Sequence, residues 1–268
     1  MPPEIAEAVK NSTSQGETLV ERERRMADIS NRSVEGKLTG YDCPKCLNRG
    51  FFYRVRDNGE RYNEACECME IRRNMRYMRE SGLSDIAERY TFDNWVSRLA
   101  WQDAVVKMAR EYAAGPSGWF YLAGNPGTGK THLCTAICGE LMRKGYRTRY
   151  MLWRDVSVRA KAVVNDEEAY QELVVPLKKV RVLYIDDLFK TGKGAEPTTG
   201  DVNLAFEILN ARYNDERMIT ILSSERTIND ILSIDEGVGS RIFQRSKNNY
   251  ADLTGKENWR LREANNDH

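Results

Sequence analysis

Apolar residues are sparse up to about residue 95 and dense beyond it. In the dense region, short apolar runs alternate with longer amphipathic stretches. Trp119–Ala123, Arg147–Trp153, Val180–Asp187, Met218–Leu222 and Asn249–Leu253 read as strands, and Trp101–Ala113, His132–Lys144 and Asp201–Tyr213 as helices. Val182, Leu183, Tyr184 and Ile185 are apolar without alternation, as in a strand covered on both faces. Strand and helix in turn predict an α/β domain, a parallel five-stranded sheet between two helical layers in a three-layer αβα core. Cys134 and Cys138, one turn apart on the second helix, belong to that core.

The sparse region is organised differently. A polar stretch at Asn11–Gly16 precedes Glu17–Ser30, a charged helical segment whose apolar stripe is only Leu19, Val20, Met26 and Ile29. It is either a solvated terminus or a docking element that orders on a partner. Phe51–Val55 and Arg61–Ala65 read as a hairpin around the turn Asp57-Asn58-Gly59. Met69–Ser81 is a basic helix with an apolar face at Ile71, Met75 and Met78; Arg72, Arg73, Arg76 and Arg79 make a solvated face or a phosphate contact. Leu83–Trp95 reads as an extended linker that packs Phe92 and Trp95 onto the second domain, which puts the domain boundary near residue 95: an N-terminal region 1–95, then 96–268.

Composition narrows the chemistry. The 268 residues are 41% hydrophobic and 30% charged, with a net charge of +1, so any nucleic-acid contact must come from a local patch. No apolar run is long enough for a membrane helix, and Met1–Lys10 lacks the pattern of a secretion signal. A cytoplasmic setting is expected, in which cysteines are read for metal before disulfides. With His132 and His268 the only histidines, histidine-based catalysis is nearly excluded. Cys43, Cys46, Cys66 and Cys68 form two close pairs that suit tetrahedral Zn²⁺, with an iron–sulfur cluster as the alternative. Such a site is closed and structural, stapling a zinc-ribbon-like module too small to fold on apolar burial alone. Lys45, Arg49, Arg54, Arg56 and Arg61 stand close enough in sequence to offset its negative charge.

Three motifs carry further chemistry. Gly124-Asn125-Pro126-Gly127-Thr128-Gly129-Lys130-Thr131 joins the first core strand to a helix, the layout of a P-loop whose backbone N–H groups cradle phosphate; Lys130 reaches the β- and γ-phosphates and Thr131 offers a hydroxyl to Mg²⁺. The third core strand ends in two carboxylates, as a Walker B strand does: Asp186 is placed for the Mg²⁺ shell and Asp187 to orient or deprotonate water. Ser223-Ser224-Glu225, at another strand tip, is placed to sense a γ-phosphate.

These motifs, with Gly239-Ser240-Arg241-Ile242, resemble the AAA+ ATPases. The cysteine module, Thr91-Phe92-Asp93-Asn94, the segment Asp186–Lys190 and Ser223–Thr227 narrow the resemblance to helicase loaders of the DnaC/DnaI type, above all those of phages and prophages. The resemblance, over roughly residues 41–262, implies ATP as the nucleotide and a switch that delivers a DnaB-type hexameric helicase onto single-stranded DNA. The N-terminal module would grip the helicase, and the ATPase domain would form a homo-oligomer. Arg241 matches the arginine finger, with Arg245 competing for the role. Asp187 stands where a glutamate is common and Glu225 where these loaders often carry a sensor asparagine, so slow or partner-dependent hydrolysis is expected. The residues after Arg245 hold a last strand and a tail but no helical lid, so the pocket is expected to be open on one side and completed by a neighbouring protomer. Arg154, Arg159 and Lys161 are the candidate DNA ligands. Two rivals remain: a transposition helper ATPase of the IstB type, and a nucleotide-binding adaptor without turnover.

Overall fold

The computed structural model describes residues 17–80, 84–192, 194–259 and 261. The stretch 11–16 and His268 lie outside them, as do the side chains of Met78 and Arg79. The chain divides into two compact units, 1–72 and 73–268.

In the first unit, the helix Leu19–Ser33 starts on a capping box in which Thr18 accepts from the Glu21 N–H and Glu21 accepts from the Thr18 N–H. The strands β1 (Phe51–Val55) and β2 (Arg61–Ala65) pair antiparallel, with Gly59 at φ +83° in the turn. Helix and hairpin are tied together: Asn31 donates to Tyr53 O at 3.0 Å and accepts from the Tyr53 N–H at 3.0 Å. Arg49 adds bonds to the carbonyls of Ser30, Asn31 and Cys46. The helix is thus a packed part of the module rather than a solvated end.

In the second unit, five of the described strands form one parallel sheet in the order β4 (Thr148–Leu152), β5 (Val182–Asp186), β6 (Ile219–Ser224), β3 (Phe120–Gly124), β7 (Tyr250–Leu253). Alternate residues serve opposite faces. Phe120, Leu122, Val182, Tyr184 and Ile221 pack with the helices Ala100–Ala114 and Lys130–Arg143. Trp119, Tyr121, Leu183, Ile185 and Leu222 pack with the helices Glu167–Lys179, Thr199–Tyr213 and Glu236–Ser246 on the other side. This is the three-layer core the apolar runs predict.

The linker packs Phe92 and Trp95 onto the second unit's core as expected, and departs from expectation in its form and grouping. Residues 73–95 group with the second unit, and Ser84–Arg89 is a short helix rather than extended chain. Phe92 is buried in the sheet-facing cluster, with Ile86, Ala87 and Trp95 packed against it. The apolar content of this segment is enough to make it part of that core.

Candidate nucleotide site and cysteine cluster

Parallel strands place their chemistry at their carboxyl ends, and here three of those ends meet. Strand β6 lies between β3, which runs into the P-loop, and β5, which ends in Asp186. The P-loop turns on glycines at positive φ: Gly124 (+133°), Gly127 (+78°) and Gly129 (+89°). Space forbids side chains there as well. A Cβ on Gly129 would lie 2.6 Å from the Trp95 ring, and one on Gly124 2.5 Å from the Leu253 carbonyl carbon.

Lys130 is 5% exposed, and its ammonium donates to Gly124 O (2.6 Å) and Asn125 O (2.9 Å). Burial lowers its pKa and the nearby Lys190 adds to the effect, against the pull of Asp187 and Asp186. A desolvated cation folded onto its own loop fits an anion-binding role. Thr131 Oγ1 lies 3.2 Å from Asp186 Oδ1. The Asp186 carboxylate also accepts from Tyr184 (2.7 Å), Tyr150 (3.2 Å) and Ser223. Burial first, then the Asp186 charge, pushes both tyrosines' pKa values up, so they remain hydroxyl donors. Asp186 and Thr131 together offer oxygen ligands of the kind Mg²⁺ takes.

Lys130 and Thr131 line a cavity of about 440 Å³ with Pro126, Gly127, Thr128, Gly129 and Asp187. Asp187 adopts φ +55° and its N–H donates to Ser223 Oγ at 3.0 Å. Aromatic rings line the cavity too: Tyr90, Trp95, Trp101 and Trp259. Tyr90 stacks on His132 with ring centres 4.8 Å apart, and His132 Nε2 is 2.7 Å from Thr91 O. Such a volume, with phosphate-binding groups beside flat apolar rings, can take a nucleotide.

Several candidate residues fall elsewhere. Ser224 is fully buried and its hydroxyl donates to Leu188 O at 2.7 Å, turned from the cavity; Glu225 and Lys190 line the cavity instead. Arg241 is outside the cavity lining. Its guanidinium lies over Phe206 (4.7 Å) and Tyr213 (5.5 Å) and donates to Asn210 Oδ1 and Gly237 O. Arg245 is held over Trp119 (5.9 Å) and donates to Glu216 O. Lys161 is ion-paired with Asp201 at 2.9 Å, while Arg154 and Arg159 are exposed. The cavity is also less open than expected, because Glu257 and Trp259 of the tail line it and the Trp259 N–H donates to Gly127 O at 2.9 Å.

In the first unit, the sulfurs of Cys43, Cys46, Cys66 and Cys68 all lie within 4.8 Å of one another, and all four residues are buried. Cys43 and Cys66 are 3.8 Å apart and Cys46 and Cys68 3.5 Å. A tetrahedral ZnS₄ centre with Zn–S of about 2.3 Å has sulfurs about 3.8 Å apart, so the cluster fits the metal. Leu47 and Asn48 at positive φ turn the chain so that the Gly50 N–H meets Cys46 Sγ at 3.3 Å. Burial raises the Cys46 thiol, but that N–H and the neighbouring thiols bring it down to about 7; burial and the bond to Cys46 push Cys68 up to about 12. Of the basic residues expected to offset the cluster, Lys45 is within electrostatic reach of Cys66 and Cys43, though most of these cations also have carboxylate partners. Lys45, Arg54, Arg56 and Arg61 pair with Glu67, Glu64, Glu60 and Glu23.

The phage-like element PBSX protein XkdC of Bacillus subtilis (strain 168) is 31% identical over 236 residues, covering 83% of this chain and 86% of that protein. The replicative helicase loader DnaC of Escherichia coli (strain K12) is 29% identical over 117 residues, covering 42% of this chain and 48% of that protein. A crystal structure of the DnaC helicase loader shares the fold with a TM-score of 0.51 at 20% identity, over 62% of this chain and 98% of that one. No helix among the described residues is long and apolar enough to cross a membrane. Residues 66–245 match the family of IstB-like ATP binding proteins, and the chain, an AAA+ fold with a DnaC-like core, belongs to that family.

Proposed function

We propose that this protein is an ATP-dependent loader that delivers a hexameric DnaB-type helicase onto single-stranded DNA. The nucleotide part of the reading rests on one observation: the hydroxyl of Thr131, which lines the cavity with Lys130 and Asp187, lies 3.2 Å from Asp186. In this reading the N–H groups of residues 127–130 and the Lys130 ammonium hold the β- and γ-phosphates. Thr131 and Asp186 would hold Mg²⁺, which neutralises charge on the phosphate oxygens. Asp187 orients the attacking water. The flat rings of Trp95 and Trp259 flank the base, and Arg241 serves the pocket of a neighbouring protomer. The Cys₄ module, holding zinc, belongs to the helicase-gripping region. Likeness to DnaC over 117 residues supports the loader, and the overlap with XkdC supports a phage-type version of it.

The match to IstB-like proteins favours a second reading, a transposition helper acting with a transposase on double-stranded DNA. The deciding experiment is capture of purified DnaB-type helicase by the full chain in ATP, followed by ATPase assays with helicase and single-stranded DNA. Stable capture and a change in turnover are expected. No capture, with turnover answering only to double-stranded DNA, would favour the second reading.

A further inference from the structure

Among the charged residues of the cavity lining is an ion pair that the loader mechanism leaves unused. Lys190 and Glu225 both line it alongside Lys130, Thr131 and Asp187, and the Lys190 ammonium is ion-paired with Glu225 Oε1. The backbone fixes both positions. Glu225 directly follows β6, the strand between the P-loop strand and the carboxylate strand. Lys190 closes the turn that begins at Asp187, and its N–H donates to Asp187 O at 2.9 Å. That turn is over-determined. Asp187 and Phe189 sit at φ +55° and +59°, a region that side-chain-bearing residues rarely adopt. Phe189 is buried edge-on against Trp153, while Leu188 is bonded through its N–H to Ser223 O (2.8 Å) and through its carbonyl to Ser224 Oγ (2.7 Å). The effect is to aim a long, flexible cation into the cavity from the side of Asp187.

The charges then define what this cation can do. Lys130 and Lys190 share one cavity and lie close enough that Lys190 helps to lower the pKa of Lys130. Two ammonium groups so placed repel unless an anion lies with them, and Glu225 now takes that part for Lys190. The pair is about one third exposed on each side, so it can open without unpacking the core. A terminal phosphate carries more negative charge than one carboxylate and offers several acceptor oxygens. Under the nucleotide reading, on which this inference rests, Asp187 faces that phosphate, and Lys190 shares its turn.

We propose that Lys190 is a γ-phosphate-sensing residue, held by Glu225 when the terminal phosphate is absent and transferred to that phosphate when a nucleoside triphosphate fills the cavity. The pair sets the preference for triphosphate over diphosphate. Glu225 competes with the ligand for Lys190, and its release reports nucleotide state at the tip of β6. Lys190 acts on binding and positioning, and no covalent step is assigned to it.

The test is the ratio of two affinities, for a non-hydrolysable ATP analogue and for ADP with Mg²⁺, measured by calorimetry on the full chain. Lys190→Met keeps an unbranched side chain only one atom shorter and removes its charge. It should weaken the triphosphate by about tenfold or more, the scale of a lost charge-assisted hydrogen bond, and change ADP affinity by less than about twofold. Glu225→Gln removes the competitor and should shift the ratio the other way, towards the triphosphate by a few-fold, on the order of the same interaction partly released. A Lys190→Met protein in which both affinities fall together, or neither moves, overturns the proposal, because a merely structural role leaves the ratio unchanged. If Lys190→Met does not fold, Glu225→Gln decides: no gain in triphosphate preference ends the idea. A wild-type chain that binds neither nucleotide overturns the nucleotide-site reading itself and this inference with it.

Discussion

Trp259 donates its backbone N–H to the carbonyl of Gly127 at 2.9 Å, so the segment after the last strand crosses the phosphate loop. Its ring lines the cavity and lies 4.9 Å from the Arg98 guanidinium, while Asn258 occupies the space a Cβ on Gly127 would need. A few tail residues therefore form one wall of the cavity. Removing the ring by Trp259→Ala should speed nucleotide dissociation roughly tenfold, the scale of one lost aromatic contact, while melting temperature barely moves. A stopped-flow chase of a fluorescent nucleotide reads the rate. Unchanged dissociation would mean that the tail packs on the loop without retaining the ligand.

Lys130 and Asp187 line the same cavity, and the proposed mechanism gives them different work. Lys130→Ala removes a buried ammonium from the phosphate loop and should abolish tight ATP binding. Asp187→Asn keeps shape and volume, so it should spare affinity and stop turnover. Equal loss of nucleotide affinity in both, measured by equilibrium binding, would contradict these roles.

How far these roles are legible in the sequence depends on which physical signal carries them. The P-loop and the Asp186-Asp187 strand end are local patterns. So is Tyr184, which stands two residues before Asp186 on the same face of β5 and donates to it at 2.7 Å. Tyr150 is not local: it reaches Asp186 because β4 pairs with β5 in the register Leu152↔Asp186. The parity of β6 is hidden too. Ser223 faces Asp186 and Ser224 turns away, yet both faces of that strand are buried, so no polar alternation tells them apart. The pairing of Lys190 with Glu225 depends on β6 lying next to β5, and the tail has no periodicity to announce its path.

The cysteine cluster should carry one zinc per chain. Sulfurs 3.5 and 3.8 Å apart already approach the edges of a tetrahedral centre, and hairpin and turn hold them there. Elemental analysis of freshly reduced protein should give about one equivalent, and Cys46→Ser should lower retention sharply by removing a thiolate ligand. Metal-free protein that keeps its secondary structure on circular dichroism would remove the metal from the account.

Arg212 illustrates a residue that resembles a functional one and is structural. It is fully buried, and burial lowers its pKa to about 9. It donates to the carbonyls of Leu177 (3.0 Å), Val180 (2.7 Å) and Ile219 (2.6 Å) and to the Thr220 hydroxyl (3.0 Å), joining the approaches to β5 and β6. Arg212→Met strands those acceptors and should destabilise the unit by roughly 2 to 4 kcal/mol, which lowers the melting temperature by about 10 °C. A shift under about 2 °C in calorimetry would mean that water or backbone adjustment satisfies the carbonyls.

Arg241 is the remaining test, and its surroundings sharpen it. Its guanidinium rests on Phe206 and Tyr213, outside the lining of its own chain's cavity, whereas Arg245 is engaged with Trp119 and Glu216. Phe206 and Phe243, on the helices Thr199–Tyr213 and Glu236–Ser246, are exposed, so this surface can meet another protomer. If Arg241 completes a neighbour's pocket, Arg241→Ala should leave fold and nucleotide affinity nearly intact and lower assembled turnover by a large factor, about 10³ or more where such fingers act in P-loop enzymes. Mixing makes the argument decisive. An Arg241→Ala chain has a good pocket and no finger, and a Lys130→Ala chain has the reverse, so together they form some interfaces in which an intact pocket meets an intact finger. Part of the activity should return. A mixture as inactive as either variant alone, under conditions where wild-type chains associate by light scattering, would end the trans role of Arg241 and move the same experiment to Arg245.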